Sequence, residues 1–166
     1  MPFKHTDKGW YWGSKGPFAT KQKAIQVAQA AYASGYKDES TMDKNIIGEF
    51  VGTLLHSATI AHIMHLQAQG EGSYAKHIAL GSYYDAIVDA ADSLAEVIQG
   101  CTGEIIKSYP PMFGNPAVEA LDYLQSIKEY VITHRDQISE YSNIQNEIDT
   151  IVSLLDSTIY KLTFLR

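Results

Sequence analysis

Cysteine is nearly absent from this chain of 166 residues. Cys101 is the single cysteine, so the chain can form no internal disulfide and no cluster of thiolate metal ligands. The sequence also lacks an apolar run that approaches the roughly 20 residues needed to span a bilayer. Its first residues, MPFKHTDKGW, lack the apolar segment of a secretory signal. These absences predict a protein that contacts no membrane and stays in a cytoplasm or in a particle assembled there.

Charge is unevenly distributed along the chain. The first 40 residues contain six lysines against Asp7, Asp38 and Glu39, which gives a net charge of +3. Because the whole chain has a formal net charge of −6, the remaining residues carry −9. A basic N-terminal segment on an acidic body fits contact with nucleic acid or with an acidic protein partner, although an ordinary solvated surface gives the same pattern.

Residues 1–37 are predicted to form a small module of their own. The aromatic run at 10–12 indicates a first strand, the GSKG sequence that follows is a turn signal, and the Pro-Phe pair at 17–18 opens a second strand. Thr20 is placed to cap a helix that follows. The expected ββα unit is too small to bury a sizeable core. We therefore expect it to act as a docking module, either for the rest of the chain or for another protein.

Four long amphipathic helices are predicted over residues 40–166. Asn115 is placed to cap the third helix with Pro116 in its first position, and a short helix is predicted over 104–108 in the connection before it. Apolar side chains recur at helical spacing over about 41–69, 73–99, 116–137 and from 142 onwards. Long amphipathic helices with short connections predict an all-α fold, a four-helix bundle with the ββα module as an appendage.

Histidine and carboxylate side chains are concentrated in the first two of these helices. The histidines are His56, His62, His65 and His77, and the acids that follow are Asp85, Asp89, Asp92 and Glu96. Imidazole and carboxylate together are ligands for iron, manganese or zinc. At about 100° per residue, the four acids fall within about 60° of each other, on the side of the second helix away from its apolar stripe. A solvated acidic face has the same pattern.

A metal site inside the bundle is not expected. Ferritin-type di-iron bundles hold their metals in the core with Glu-x-x-His motifs. In this chain no glutamate is followed by a histidine three residues later. A metal on the outward acidic stripe would therefore need further ligands from a second subunit.

The stretch from His65 to Glu96 resembles the iron-site region of Dps proteins, the mini-ferritins of the ferritin-like superfamily. In that family a histidine near a helix end is followed by a glycine break, a second histidine and an Asp-x-x-Ala-Glu motif. Here His77 follows His65 by twelve residues, Asp92 follows His77 by fifteen, and Glu96 lies four residues further on. Gly70 provides the break between the two histidines.

The resemblance implies a di-iron site between subunits. His65 and His77 of one subunit would face Asp92 and Glu96 of a twofold-related subunit, with Glu96 bridging two iron positions. It also implies oxidation of Fe(II), typically by hydrogen peroxide. The ferric mineral would be stored in a homo-oligomer of twofold dimers, in Dps proteins a shell of twelve subunits, which protects DNA from oxidative damage.

Several positions lie outside the family pattern. Leu66 stands where Dps proteins usually have tryptophan, and Val97 stands where arginine is common. His62 and Asp89 are additional candidates for ligands or for neighbours of ligands, but structural or surface roles are favoured for both.

The N-terminal module replaces the basic tail of Dps proteins. The sequence GWYWGSKGPF at 9–18 resembles short aromatic-Gly-Lys modules at the ends of tailed-bacteriophage proteins. The sequence therefore favours a phage-encoded Dps-like iron oxidase and store. One alternative is a virion or assembly protein that uses a ferritin-like bundle as a scaffold and docks through residues 1–37. Another is a DNA-binding protector without iron chemistry.

Overall fold

The computed structural model describes residues 3–12, 15–33, 44–111, 114 and 117–165 of the chain. The chain divides into two compact units, Met1–Thr41 and Met42–Arg166, which we call the head and the helical body. Most of the described residues are helical, and the head contains a small antiparallel sheet.

The head is a three-stranded antiparallel sheet followed by one helix. Strand order in the sheet is β1-β2-β3. The elements are β1 (Phe3–Thr6), β2 (Gly9–Trp12), β3 (Lys15–Phe18) and α1 (Lys21–Ala33). Among the described residues of the head, the buried side chains are those of Trp12, Ala24 and Ala28. The predicted cap is confirmed, because the backbone N–H of Lys23 donates to Thr20 Oγ1 at 3.2 Å.

The prediction of a ββα head is wrong because it omits strand β1. This strand is short and mostly exposed. Its sequence therefore lacks the alternation of apolar and polar residues that marks a half-buried strand. It forms by pairing with β2, where Phe3 lies opposite Trp12 and His5 lies opposite Trp10. The extra strand follows from pairing rather than from local propensity.

The helical body consists of four long helices around one core. Helix α2 packs against α3 and α4, and α5 also packs against α3 and α4, so each helix has two neighbours in the body. The helices are α2 (Lys44–Leu66), α3 (Ser73–Thr102), α4 (Ala120–Ile138) and α5 (Ser142–Phe164). The core is dominated by aliphatic and aromatic side chains that include Phe50, Leu54, Leu80, Ile87, Leu94, Leu124, Ile148 and Leu155.

Helix boundaries differ from the prediction in several places. Residues 104–108, all within the described part of the chain, form no helix, contrary to the short helix predicted there. Helix α4 begins at Ala120 with Glu119 in the N-cap position, whereas Asn115 and Pro116 lie outside the described residues. Helix α3 continues past Gly100 to Thr102, and the φ of 67° at Gly103, its C-cap, is typical of a glycine that terminates a helix.

The segment 104–111, which we call the crossing segment, has no regular secondary structure and packs its backbone on α2. Ile106 is buried, and its backbone N–H donates to Gln99 Oε1 at 3.0 Å. Gly48 of α2 provides the space for this approach, because a Cβ atom there would overlap the carbonyl oxygen of Ser108. A helix over the same residues would not allow this close approach.

Helix α2 is more apolar than expected, because the sequence was predicted to contain no apolar run long enough to span a bilayer. Among the described residues, one stretch, Asn45–Leu66, has the length and the apolar composition of a membrane-spanning helix, with a mean hydropathy of 1.3. Half of it is buried inside the body. A core helix of a globular protein can have the same composition, and the cytoplasmic location stays a prediction.

A buried hydrogen bond joins α2 to α3. Ser57 Oγ donates to the carbonyl oxygen of Leu54 at 2.6 Å and lies 2.8 Å from Tyr83 Oη. Because Ser57 has only one hydroxyl proton and directs it to Leu54, Tyr83 must be the donor in the second bond. Burial raises the pKa of Tyr83 well above its usual value, so the phenol keeps the proton that it donates.

Replacement of this phenol is expected to weaken the body. Tyr83→Phe should lower the free energy of unfolding by about 1 kcal/mol, because a buried hydrogen bond is lost while the ring remains. Chemical denaturation followed by circular dichroism measures the change. Tyr74→Phe is the matched control, since Tyr74 is 79% exposed and should have almost no effect. Equal losses in the two variants would contradict the role of the Tyr83 hydroxyl.

Candidate metal centre

Two histidines meet where α2 ends and α3 begins. The connection between the helices reverses direction at Gly70 and Gly72, which have φ values of 84° and 73°. These are left-handed conformations that glycine adopts without steric cost. The resulting hairpin brings the imidazole rings of His65 and His77 together, with centroids 3.6 Å apart and planes inclined by 23°. We call these two residues the histidine pair.

Each imidazole of the histidine pair bonds to the backbone of the other residue. His65 Nδ1 lies 2.8 Å from the carbonyl oxygen of His77, and His77 Nδ1 lies 3.2 Å from the carbonyl oxygen of His65. A carbonyl oxygen can only accept, so each Nδ1 carries a proton and donates it. In the neutral rings both Nε2 atoms therefore keep a lone pair. Histidines that bind metals commonly have this arrangement, with the second ring nitrogen held by a carbonyl or carboxylate.

A glycine of α3 makes room for the pair. A Cβ atom at Gly81 would lie 3.4 Å from His65 Cε1 and 3.5 Å from His65 Nδ1, so the ring packs directly on the helix backbone. An added methyl group would be in ordinary van der Waals contact, but a larger side chain would displace the ring. The small residue at position 81 therefore helps to fix the orientation of His65.

Two more rings extend the histidine pair along the outside of the hairpin. His62 stacks on Tyr84 with centroids 4.3 Å apart, and the edge of Tyr84 meets His65 at 5.3 Å and 87°. A groove of about 370 Å³ adjoins them, lined by Ala58, Thr59, His62, Tyr84, Asp85, Val88 and Asp89. Tyr84 was not among the residues that the sequence predicted for this site. Its contacts with both histidines depend on the packing of α2 against α3.

The four acids of α3 point away from the core, as the helical geometry predicted. They are all exposed, and the residues of the opposite side are buried. Asp92 and Glu96 lie one turn apart on this exposed face, and we call them the carboxylate pair. The buried residues of the same helix include Leu80, Tyr83, Ile87, Ala91, Leu94 and Ile98.

The histidine pair and the carboxylate pair of one chain are too far apart to share a metal. His77 and Asp92 are separated by fifteen residues of α3, which corresponds to a rise of about 22 Å along the helix. Metal–ligand bonds to nitrogen and oxygen are only about 2.0–2.6 Å long. Within the described ranges, no three His, Cys, Asp or Glu side chains are grouped so that they could hold a metal ion. One chain therefore cannot hold a metal with both pairs, and we call the two pairs candidate half-sites.

Comparison with known proteins gives one match. Residues 65–162 match a family described as "Family of unknown function (DUF5856)". No curated protein and no solved structure matches the chain. The matched stretch begins at His65 and contains His77, Asp92 and Glu96, so both half-sites lie inside it. It covers more than half of the 166 residues, and the chain therefore belongs to DUF5856, a family of unknown function.

Proposed function

We propose that the protein binds and oxidises iron at a site shared by two copies of the chain, as a Dps-like, ferritin-type protein that stores iron and limits oxidative damage to DNA. The observation that carries the proposal is the histidine pair. His65 and His77 expose two imidazoles whose Nδ1 protons are committed to carbonyl oxygens. The bonds from Nδ1 leave both Nε2 lone pairs unprotonated in the neutral rings and restrict the rings before any metal binds, which lowers the cost of ordering them.

The positions of the two half-sites on α3 support a shared site. Asp92 and Glu96 lie within about 100° of His77 around the helix axis, so all three belong to one outer half of α3. A twofold axis across the middle of this face would place the histidine pair of each copy against the carboxylate pair of the other. Such a contact is self-complementary and creates two identical sites. Each would have two imidazoles and two carboxylates, which is a suitable donor set for iron.

The arrangement of the body also supports a ferritin-like bundle. Helices α2 and α3 form one packed pair and α4 and α5 another, and a long connection at 103–119 joins the pairs. One long connection between two helix pairs is typical of ferritin-like bundles. The body lacks the internal Glu-x-x-His ligands of the di-iron carboxylate proteins, which favours a site on its outer face.

Iron is the substrate of this site. The reaction transfers one electron from each of two Fe(II) ions to hydrogen peroxide, which takes up two protons and leaves as two water molecules. The histidine pair would hold Fe(II) through nitrogen. The carboxylate pair of the partner would supply anionic oxygen, which is the better ligand for the harder Fe(III).

Purified protein is expected to oxidise Fe(II) with hydrogen peroxide faster than buffer alone. His65→Ala removes one imidazole ligand and Glu96→Ala removes the bridging carboxylate, so either change should reduce the rate to that of buffer. Ferric absorbance measures the rate. His134→Ala is the matched control, because His134 Nδ1 also donates to a backbone carbonyl, that of Tyr130, at 2.8 Å but lies on α4.

Two results would contradict the proposal. One is wild-type oxidation no faster than buffer. The other is a loss in His134→Ala as large as that in His65→Ala, because it would show that any histidine in the body supports the rate. An inactive protein that cofractionates with virions would instead favour the alternative of a scaffold or assembly component.

A further inference from the structure

Among the described residues of the head, the charged side chains are almost all lysines. In the described residues 3–12 and 15–33, Asp7 is the single acid, so this part of the head carries +4, while the body carries −9. All five lysines of this part are exposed: Lys4, Lys8, Lys15, Lys21 and Lys23. A small unit with this charge attracts polyanions and repels basic surfaces.

The outer face of α1 continues this basic surface. The helix contains no acidic residue. Its exposed positions are lysines, glutamines and alanines: Lys21, Gln22, Lys23, Gln26, Gln29, Ala30 and Ala33. Helices generally favour acids in the first turn because the helix dipole is positive there. In α1 two lysines occupy this end instead. Their repulsion from the positive end of the dipole destabilises the free head, and a bound anion would offset this repulsion.

Aromatic rings position two of the lysines. Lys21 Nζ lies 5.4 Å from the ring centroid of Trp10, and Lys15 Nζ lies 5.2 Å from that of Trp12. Such cation–π contacts restrict the flexible side chains while their charge stays exposed. Less conformational freedom then remains to be lost when a ligand binds.

The same contacts disfavour base stacking on the two indole rings of the head. Proteins that bind single strands stack bases on exposed aromatic rings. Here Trp12 is buried, and Trp10 lies under Lys21 and beside the ring of His5, with centroids 4.7 Å apart. Both indole rings are therefore already covered by other groups of the head.

The dimensions of α1 fit duplex DNA. An α-helix with its side chains is about 10–12 Å wide, and the major groove of B-DNA is about 12 Å wide. The major groove of A-form RNA is too narrow for such a helix. Ala30 and Ala33 on the exposed face allow a close approach, and glutamine side chains can hydrogen-bond base edges.

We propose that the outer face of α1 and the surrounding lysines form a binding surface for duplex DNA. The lysines contact phosphates on both sides of the groove, and Gln22 and Gln26 lie toward its floor. The surface belongs to the head alone, so it requires neither the iron site nor pairing of the body. Failure of the iron proposal would leave it unaffected.

Anisotropy of a labelled duplex of about 25 base pairs, measured with the full chain between about 50 and 200 mM salt, tests the proposal. Affinity should fall steeply with salt. Lys23→Gln should reduce the slope of log affinity against log salt by about 0.9, because one phosphate fewer is neutralised. Lys107→Gln is the matched control, because Lys107 is an exposed lysine of the body and should leave the slope unchanged. Gln26→Glu should weaken binding by placing an acid on the face.

Tryptophan fluorescence shows whether the head stays folded in each variant, because Trp10 and Trp12 both lie in the head. Three results would overturn the proposal. The first is an equal slope for Lys23→Gln and Lys107→Gln. The second is tighter binding of a single strand than of the duplex. The third is competition by polyglutamate that is as strong as competition by unlabelled duplex of the same total charge. The last result would mean that bare negative charge suffices and that the occupant is an acidic protein.

Discussion

Two inactive variants are expected to restore each other's iron oxidation when they are refolded together. The first variant lacks the histidine pair (His65→Ala with His77→Ala), and the second lacks the carboxylate pair (Asp92→Asn with Glu96→Gln). A dimer of either variant has two broken sites. A mixed dimer has one site with both wild-type halves and one site with neither. Random pairing makes half of the dimers mixed, so the mixture should regain about a quarter of the wild-type sites.

The effect is large because each variant alone should have no activity above buffer. It is measured by unfolding the variants together at equal concentration, refolding them, and following Fe(II) oxidation by peroxide. The rise of about 22 Å between His77 and Asp92 along α3 is the reason to expect it, because no single chain can complete the site. Equal rates before and after mixing would show that the four residues do not meet across two chains.

A chain with all four substitutions is the control for this experiment. Mixed with wild type at equal concentration, it forms mixed dimers in which neither site is complete. Only wild-type dimers then remain active, which again leaves about a quarter of the sites. If each chain carried its own site, half of the activity would remain. The two arrangements are therefore distinguished by a factor of two.

Gly48→Ala is expected to destabilise the body by about 1–3 kcal/mol. A methyl group at this position would overlap the carbonyl oxygen of Ser108, so the crossing segment must move away from α2. Ile106 belongs to the same segment and is buried in the core, so the movement would also disturb apolar packing. The gain in helix propensity on replacing glycine by alanine, up to about 1 kcal/mol, acts in the opposite direction. A net loss would therefore identify the clash.

Gly100→Ala is the matched control for this prediction. Gly100 also lies within a helix, but a Cβ atom there would have nothing within 4 Å. Alanine should therefore raise the free energy of unfolding by about 0.5–1 kcal/mol. Urea denaturation of the two variants should give changes of opposite sign. A gain in both would show that the crossing segment adjusts without cost.

The helices of the body could be predicted because their apolar side chains recur at helical spacing. Helix α5 begins at Ser142 as predicted, and the acids of α3 are exposed as their angular positions required. The core side of each helix is a local property of the sequence. Periodicity alone therefore predicted the exposed position of Asp92 and Glu96.

The remaining features depend on contacts between distant parts of the chain. Strand β1 has no pattern of its own and exists through its pairing with β2. The crossing segment can lie against α2 because Gly48, more than fifty residues earlier, leaves room for its backbone. Helix α4 begins at Ala120, a boundary that the proline at 116 did not predict because proline is only permitted in a first turn and does not require one.

The candidate site was predictable only in part, because some of its features follow from local sequence and others from contacts between the helices. The spacing of His65 and His77 around a glycine break placed both residues at one end of a hairpin. The stacking of their rings and the two bonds from Nδ1 to carbonyl oxygens depend on how α2 approaches α3 at Gly81. No local pattern in the sequence encodes that approach.

The bonds between the histidine pair and the backbone also tie the hairpin together. The carbonyl oxygen of His65 accepts from His77 Nδ1 at 3.2 Å and from the backbone N–H of Ala68 at 3.3 Å. Local opening of the connection would release both donors and free the His77 imidazole to move away from His65. Amide hydrogen exchange at Ala68 therefore reports how often the half-site is disassembled. An ion that binds both Nε2 atoms should slow this exchange, so that loading with iron stiffens the turn between the two helices.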